Sequence, residues 1–235
     1  MKILALEHSS ARGSIAWLDT EMRSARAPTA AREGAGAPQK GEFDREWPND
    51  RKNSGPFFEH LREVQKQFGN ADTIVVGLGP GSYAGTRIAI SAAIGLSFGG
   101  TGSVPSDEKG RHGGRPSIRL VGFPSICAIE CDGPEYWVIG DARRNSYFYA
   151  RVCDHNLIEG PNLMSEAELR TKLDKLDKKM PIFTTEKLPP FDHAELRYPA
   201  ARMLAQLATD AKRKFARPPL EPMYLREPHI TVPKK

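Results

Sequence analysis

Thr73-Ile74-Val75-Val76-Gly77-Leu78-Gly79-Pro80-Gly81-Ser82-Tyr83-Ala84-Gly85-Thr86-Arg87-Ile88 is the stretch whose reading decides the fold. Thr73 to Leu78 is a continuous apolar, β-branched run, the composition of a strand buried on both faces of a parallel sheet. Gly79-Pro80-Gly81 breaks the run and Ser82 suits a helix N-cap. From Tyr83 to Phe98 the only charged residue is Arg87, so the helix is either buried almost all round or waiting for a partner on one side. Gly85, Ala89 and Ala93, four apart, would let another helix approach closely.

Upstream, Pro56 opens a helix whose apolar positions Phe57, Leu61, Val64 and Phe68 recur at three and four residues, with Ser54 as candidate cap and Gly69-Asn70 as its stop. A strand following a helix that itself follows a strand predicts an α/β layer architecture. Ile3 to Leu6 reads as a buried strand and Gly13 to Leu18 as its antiparallel neighbour, with Gly41 to Trp47 a third strand. Two stretches, 21–40 and 99–116, are poor in large apolar side chains and read as flexible surface insertions.

Ile118 to Val121 resumes a strand, and Pro124 to Ile129 would begin a helix. Tyr136 to Gly140 and Ser146 to Val152 form an aromatic strand pair around Asp141-Ala142-Arg143-Arg144-Asn145, which marks a second, smaller lobe. Ser165 and Glu168 have capping-box spacing at the head of a helix running to Leu176. Pro181 to Phe183 is a short strand, Pro199 to Phe215 a helix, and the Pro-rich tail from Arg217 is extended. The predicted division is a first lobe over 1–130 and a second over 131–235.

Composition narrows the function classes. The chain has 235 residues, 39% hydrophobic, with 34 Lys plus Arg against 29 Asp plus Glu, a net charge of +5. Acidic residues interspersed among the basic ones do not make a nucleic-acid-binding arm. Arg143, Arg144, Arg213, Lys214 and Arg217 are candidate phosphate contacts only if the protein touches RNA directly, and a solvated charged face is the simpler reading. Three cysteines, Cys127, Cys131 and Cys153, fit no disulfide framework and read as buried free thiols in a reducing compartment. With no apolar run long enough for a membrane span or a signal peptide, the expected location is cytoplasmic.

A glycine turn before a helix suggests phosphate, because backbone N–H groups and the helix dipole face an incoming anion. The specific fingerprints fail: Ser82 or Ala84 stands where the dinucleotide motif needs Gly, and Gly85 is followed by Thr86 rather than the P-loop Lys. No two of the six histidines are four apart, and no G-x-S-x-G elbow occurs. The glycines are therefore read first as backbone devices, with Gly79 and Gly81 supplying conformations closed to other residues and Gly85 allowing close packing. No catalytic, cofactor-binding or metal-binding residue is assigned.

The stretch Val76 to Ile88 resembles the GxGPGSFTGxRIG signature of the TsaB (YeaZ, glycoprotease-like) family of bacterial tRNA threonylcarbamoyladenosine biosynthesis proteins. Other matches follow in the family's order: Glu7-His8-Ser9-Ser10, where the family has Asp-Thr-Ser-Thr; Asn53 to Phe58; Val121 to Ser125; Asp141-Ala142-Arg143-Arg144; and Pro222-Met223-Tyr224-Leu225-Arg226. The resemblance implies an actin, hexokinase and Hsp70-like ATPase (ribonuclease H-like) fold of two small lobes, with mixed sheets flanked by helices. Gly79, Pro80, Gly81, Ser82, Gly85, Arg87, Asp141 and Arg143 are the signature residues it carries over.

It further implies a non-catalytic subunit, without cofactor, that supports the catalytic subunit TsaD together with the ATPase TsaE and meets tRNA only through the complex. The two helices flanking the central strand would form the face for TsaD, or for a second copy of the chain. Phe57, Leu61, Val64, Tyr83, Arg87, Ala89, Ile90 and Ala93 are the expected contacts. Glu7 and His8, in place of the family's Asp-Thr pair, argue against nucleotide binding by this lobe. The alternative is a free-standing ATP- or metal-dependent enzyme of the same fold.

Overall fold

The computed structural model describes residues 1–24, 41–49, 54–99, 118–177 and 179–226. The predicted insertions at 21–40 and 99–116 fall almost wholly outside this set. Residues 21–24 fall inside it and complete a short helix, α1 (Thr20–Ser24).

The apolar run at the amino terminus forms β1 (Lys2–Glu7), which doubles back as β2 (Arg12–Asp19), with β3 (Glu42–Pro48) beyond it. α2 (Gly55–Phe68) leads to β4 (Thr73–Gly77), the glycine turn to α3 (Tyr83–Gly99), and the chain returns in β5 (Arg119–Phe123). The sheet order is β3-β2-β1-β4-β5. β1 pairs antiparallel with β2 and parallel with β4, placing Leu4 opposite Trp17 and Ala5 opposite Val75. Ser54 stands at the N-cap of α2 as expected, with the helix opening one residue before Pro56, but the Ser54 hydroxyl makes no capping bond.

The second sheet repeats this plan. β6 (Glu135–Asp141), β7 (Ser146–Cys153), β8 (Asn156–Ser165), β9 (Ile182–Thr184) and β10 (Glu195–Leu196) stand in the order β10-β9-β6-β7-β8. As in the first sheet, the opening strand has an antiparallel neighbour on one side and a parallel one on the other. α4 (Glu166–Leu173) carries the predicted capping box between Ser165 and Glu168. The helix foreseen at Pro124 to Ile129 is one short 3-10 turn, Ser125–Ala128.

Alternation along the central strands sorts the core into layers. Leu4, Leu6, Trp17, Ile74 and Val76 face α2 and α3. Ile3, Ala5, Ala16 and Val75 face the other way and share one core with Tyr136, Val138 and Ala150 of the second sheet. Trp137, Ile139 and Tyr149 point outward to Leu169 and Leu173 of α4.

Helix α5 (Ala201–Leu207) lies in the shared core, where it packs against β1, β2 and β4. Ser14 of β2 caps its first turn, accepting the Ala201 N–H at 2.8 Å. This corrects the predicted boundary, because the chain after Pro199 returns to the first lobe. It also shortens the predicted helix. Thr209 and Asp210 end it in side-chain-bonded turns, and the following chain brings Phe215 onto Phe123 and pairs Ala216 with Gly122.

Candidate functional site

The glycine turn is shaped by the loop between β1 and β2. The Ser9 carbonyl accepts the Ser82 N–H at 2.5 Å, and a Cβ at Gly81 would overlap that same carbonyl oxygen. A Cβ at Gly85 would overlap the His8 carbonyl oxygen. Ser125 Oγ accepts the Gly79 N–H at 2.9 Å, and Ser82 caps α3 by accepting the Gly85 N–H at 3.3 Å. The signature glycines thus admit the chain's own carbonyls, and the amides of Gly79, Ser82 and Gly85 are already engaged. Those three are not open to a phosphate group.

Glu7 and His8 lie beneath this junction, fully enclosed. Glu7 Oε1 accepts from the Ser9 N–H at 2.7 Å and the Ser9 hydroxyl at 2.6 Å. Its other oxygen fills the space beside Gly77, which a Cβ there would take. Burial pushes the Glu7 carboxyl above its ordinary value, against the opposing pull of hydrogen bonds from Ser125 and Ser9. His8 packs between Trp47 and Phe57, with ring centroids 5.9 and 4.9 Å away. Burial lowers its pKa to about 4, so it is a neutral core ring at physiological pH. Among the described residues no group of three His, Cys, Asp or Glu side chains is placed to hold a metal ion.

Between the lobes lies a cleft of about 600 Å³. Ser9, Ser10, Gly81, Ser82, Tyr83 and Thr86 line it from the first lobe, and Asp141, Arg143 and Arg144 from the β6–β7 turn. The strap Pro222 to Arg226 closes one side, tied down where the Met223 N–H bonds the Leu78 carbonyl at 2.8 Å. Asp141 holds the turn by accepting the Arg143 N–H at 2.7 Å. Motifs scattered from residue 9 to residue 226 therefore meet at one place. Gly79, Pro80 and Gly85 lie in the loop and helix start behind the cleft wall. The strap's part in the wall was not foreseen, since an extended Pro-rich tail carries no periodicity to place it.

The second feature is the outer face of α2 and α3. The structure corrects most of the expected contact residues: Phe57, Leu61, Val64, Ala89, Ile90 and Ala93 are buried in the core, against β-strands of their own lobe. The Gly85, Ala89 and Ala93 row fits α3 onto its own sheet and not against another helix. Tyr83 and Arg87 are exposed as expected, and they continue into Ile94 and Phe98, the latter 71% exposed. Phe58 of α2 joins Ile88, Ser91 and Ala92 in a shallow groove between the helices. Arg87 donates to the Tyr83 hydroxyl, and the Tyr83 ring lies 5.4 Å from that of Tyr224 on the strap. Hydrogen bonds from Tyr224 and Arg87 hold the Tyr83 hydroxyl below its ordinary pKa.

Arg213 is engaged within the fold. Its guanidinium donates to the carbonyls of Asp154 and His155 and to the Asn156 side chain, pinning the β7–β8 turn to the chain after α5. Of the cysteines, Cys127 is buried, with its thiol pushed up to about 12 by desolvation, while Cys131 and Cys153 are half-buried, contrary to expectation. No described helix is long and apolar enough to cross a membrane.

No protein-family model matches the chain, and no curated protein matches it in sequence. Solved structures do. One is a Pseudomonas aeruginosa protein described as uncharacterized, with similarity to peptidase YeaZ. It superposes with a TM-score of 0.62 at 18% identity, over 96% of this chain and 99% of that one. YeaZ from Pseudomonas aeruginosa gives a TM-score of 0.61 at 14% identity, over 95% of this chain and 100% of its own. At these identities the likeness is one of fold, and the two five-stranded mixed sheets are those of the actin, hexokinase and Hsp70-like architecture.

Proposed function

We propose that this protein is a TsaB-type subunit of the bacterial complex that forms threonylcarbamoyladenosine next to the tRNA anticodon, acting as a non-catalytic scaffold for the catalytic subunit TsaD. The observation that carries the reading is the apolar seam of α2 and α3, where Phe58, Tyr83, Ile94 and Phe98 are partly exposed, with Arg87 as the one charged member of the α3 row. A helix face of this kind on a soluble domain is a docking surface. The YeaZ-like fold and the signature residues at the cleft support the family assignment. The engaged amides of the glycine turn and the enclosed Glu7 support a scaffold over an ATP-dependent enzyme.

In this reading TsaD, or a second copy of the chain in its absence, covers the seam. TsaE and tRNA join through the assembled complex in the cytoplasm. The test is association of the purified chain with TsaD from the same cell, with Ile94→Glu and Phe98→Glu as disrupting variants. Saturable micromolar binding of ATP and magnesium by the isolated chain would favour the enzyme instead.

A further inference from the structure

The interlobe cleft has the size and lining of a small-molecule site, and nothing in the proposed scaffold role uses it. Its floor is hydroxylic, from Ser9, Ser10, Ser82 and Thr86, and its walls include the apolar side chains of Leu78, Phe148 and Met223. At the second-lobe end three arginines, Arg143, Arg144 and Arg226, and two acidic residues, Asp141 and Glu186, line the cleft. Asp141 is spent on Arg143, whose guanidinium lies 3.4 Å away. Arg226 donates to the neutral Arg143 carbonyl at 3.5 Å, which leaves its charge uncompensated by that contact.

The turn that presents these groups is left-handed. Arg143, Arg144 and Asn145 take φ values of 65°, 54° and 55°, three successive non-glycine residues in the left-handed region. Positive φ is the ordinary geometry of a tight hairpin turn, and this one sets Arg143 and Arg144 side by side at the cleft.

We infer that the cleft binds a small molecule with a planar body and a single oxyanion, a phosphate monoester or a carboxylate, whose oxygens are taken by Arg144 and Arg226. Guanidinium forks match such groups in bidentate geometry. The planar body lies against Leu78, Phe148 and Met223. The anion is recognised at the second-lobe end, where the arginines lie; the Gly79, Ser82 and Gly85 amides are engaged within the chain, and a polyphosphate gains nothing from those three.

Calorimetric titration of the full chain tests this with AMP as the phosphate probe and N-acetyltryptophan as the carboxylate probe. Adenosine serves as the neutral control and ATP as the polyphosphate control. The expected result is saturable binding of at least one anionic probe, with adenosine weaker. Arg144→Ala and Arg226→Ala, both on exposed side chains, weaken that binding roughly tenfold or more while thermal unfolding is unchanged. Arg144→Lys restores only part of it. Absence of saturation by either anionic probe at millimolar concentration would overturn the inference. So would equal binding of adenosine, tighter binding of ATP than AMP, or indifference to both arginine substitutions. The scaffold reading stands or falls separately, on association with TsaD.

Discussion

The Ser9 carbonyl accepts the Ser82 amide at 2.5 Å, joining the β1–β2 loop to the head of α3 where both line the cleft. The close approach leaves no room for a Cβ at Gly81, nor, one turn along, at Gly85 beneath the His8 carbonyl. Gly81→Ala and Gly85→Ala are each expected to lower stability in urea by about 2 kcal/mol or more, since a backbone atom must move to admit the methyl group. Gly95, in the same helix with open space around it, is the internal control. Gly95→Ala should raise stability by roughly 0.5–1 kcal/mol, the usual helix-interior gain. Equal effects at Gly85 and Gly95 would refute the close-packing account.

His8 and Glu7 are adjacent, both enclosed, and give stability opposite dependences on pH. The folded His8 has its pKa lowered to about 4, so between there and the ordinary 6.5 the unfolded chain binds the extra proton. Stability from this group is complete above pH 6.5 and is lost as pH falls through that window, by on the order of 3 kcal/mol. His8→Phe, which keeps an aromatic ring between Trp47 and Phe57, should remove that loss in urea melts across the window.

For Glu7 the folded carboxyl is raised above 4.5, so in this case the folded chain holds the extra proton. Its contribution is complete below pH 4.5 and declines as pH rises through the raised value. Glu7→Gln keeps an acceptor for Ser9 and should flatten that decline, with stability at neutral pH equal to or above that of the parent. A large loss at neutral pH would show that the charged carboxylate is needed.

Arg213 is a structural pin with three donated hydrogen bonds and a guanidinium 5.8 Å from the Phe123 ring centroid. Arg213→Ala is expected to cost about 1.5–3 kcal/mol of stability, the range for hydrogen bonds to a charged group. Electrophoretic assay of the assembled complex should show tRNA binding unchanged. Weakened tRNA binding without loss of stability would reverse the assignment.

Much of the first lobe is legible in the sequence because its signals are local. The Thr73 to Leu78 run, the heptad-like spacing from Phe57 to Phe68 and the cap at Ser82 each specify their element without help from distant residues. β8 is not legible, because Gly160-Pro161 interrupts it and an exposed edge strand tolerates what a central strand would not. The second-lobe boundary is hidden for a different reason: α5 is Ala-rich so as to fit between two sheets, and its partners lie nearly two hundred residues upstream.

The site was legible as motifs but not as surfaces. A helix with one charged residue in sixteen does not say which of its faces meets its own sheet. Small residues at Gly85, Ala89 and Ala93 suit a sheet as well as a partner helix. Only burial separates Ala89, enclosed against the sheet, from Ile94 and Phe98 outside. Ala89→Glu accordingly tests the core and not the interface. It should unfold the chain, because a carboxylate would be placed in the apolar layer with no partner.

The scaffold reading rests on the outer face of α3, and Phe98→Glu probes it with least disturbance, since the side chain is 71% exposed. The decisive measurement is calorimetric titration of the catalytic subunit TsaD with the parent chain and with Phe98→Glu, thermal unfolding of both chains being compared first. The account predicts saturable association of the parent, lost or weakened at least tenfold in a variant whose unfolding is unchanged. Undiminished binding by Phe98→Glu and Ile94→Glu alike, or no association of the parent chain, would contradict it.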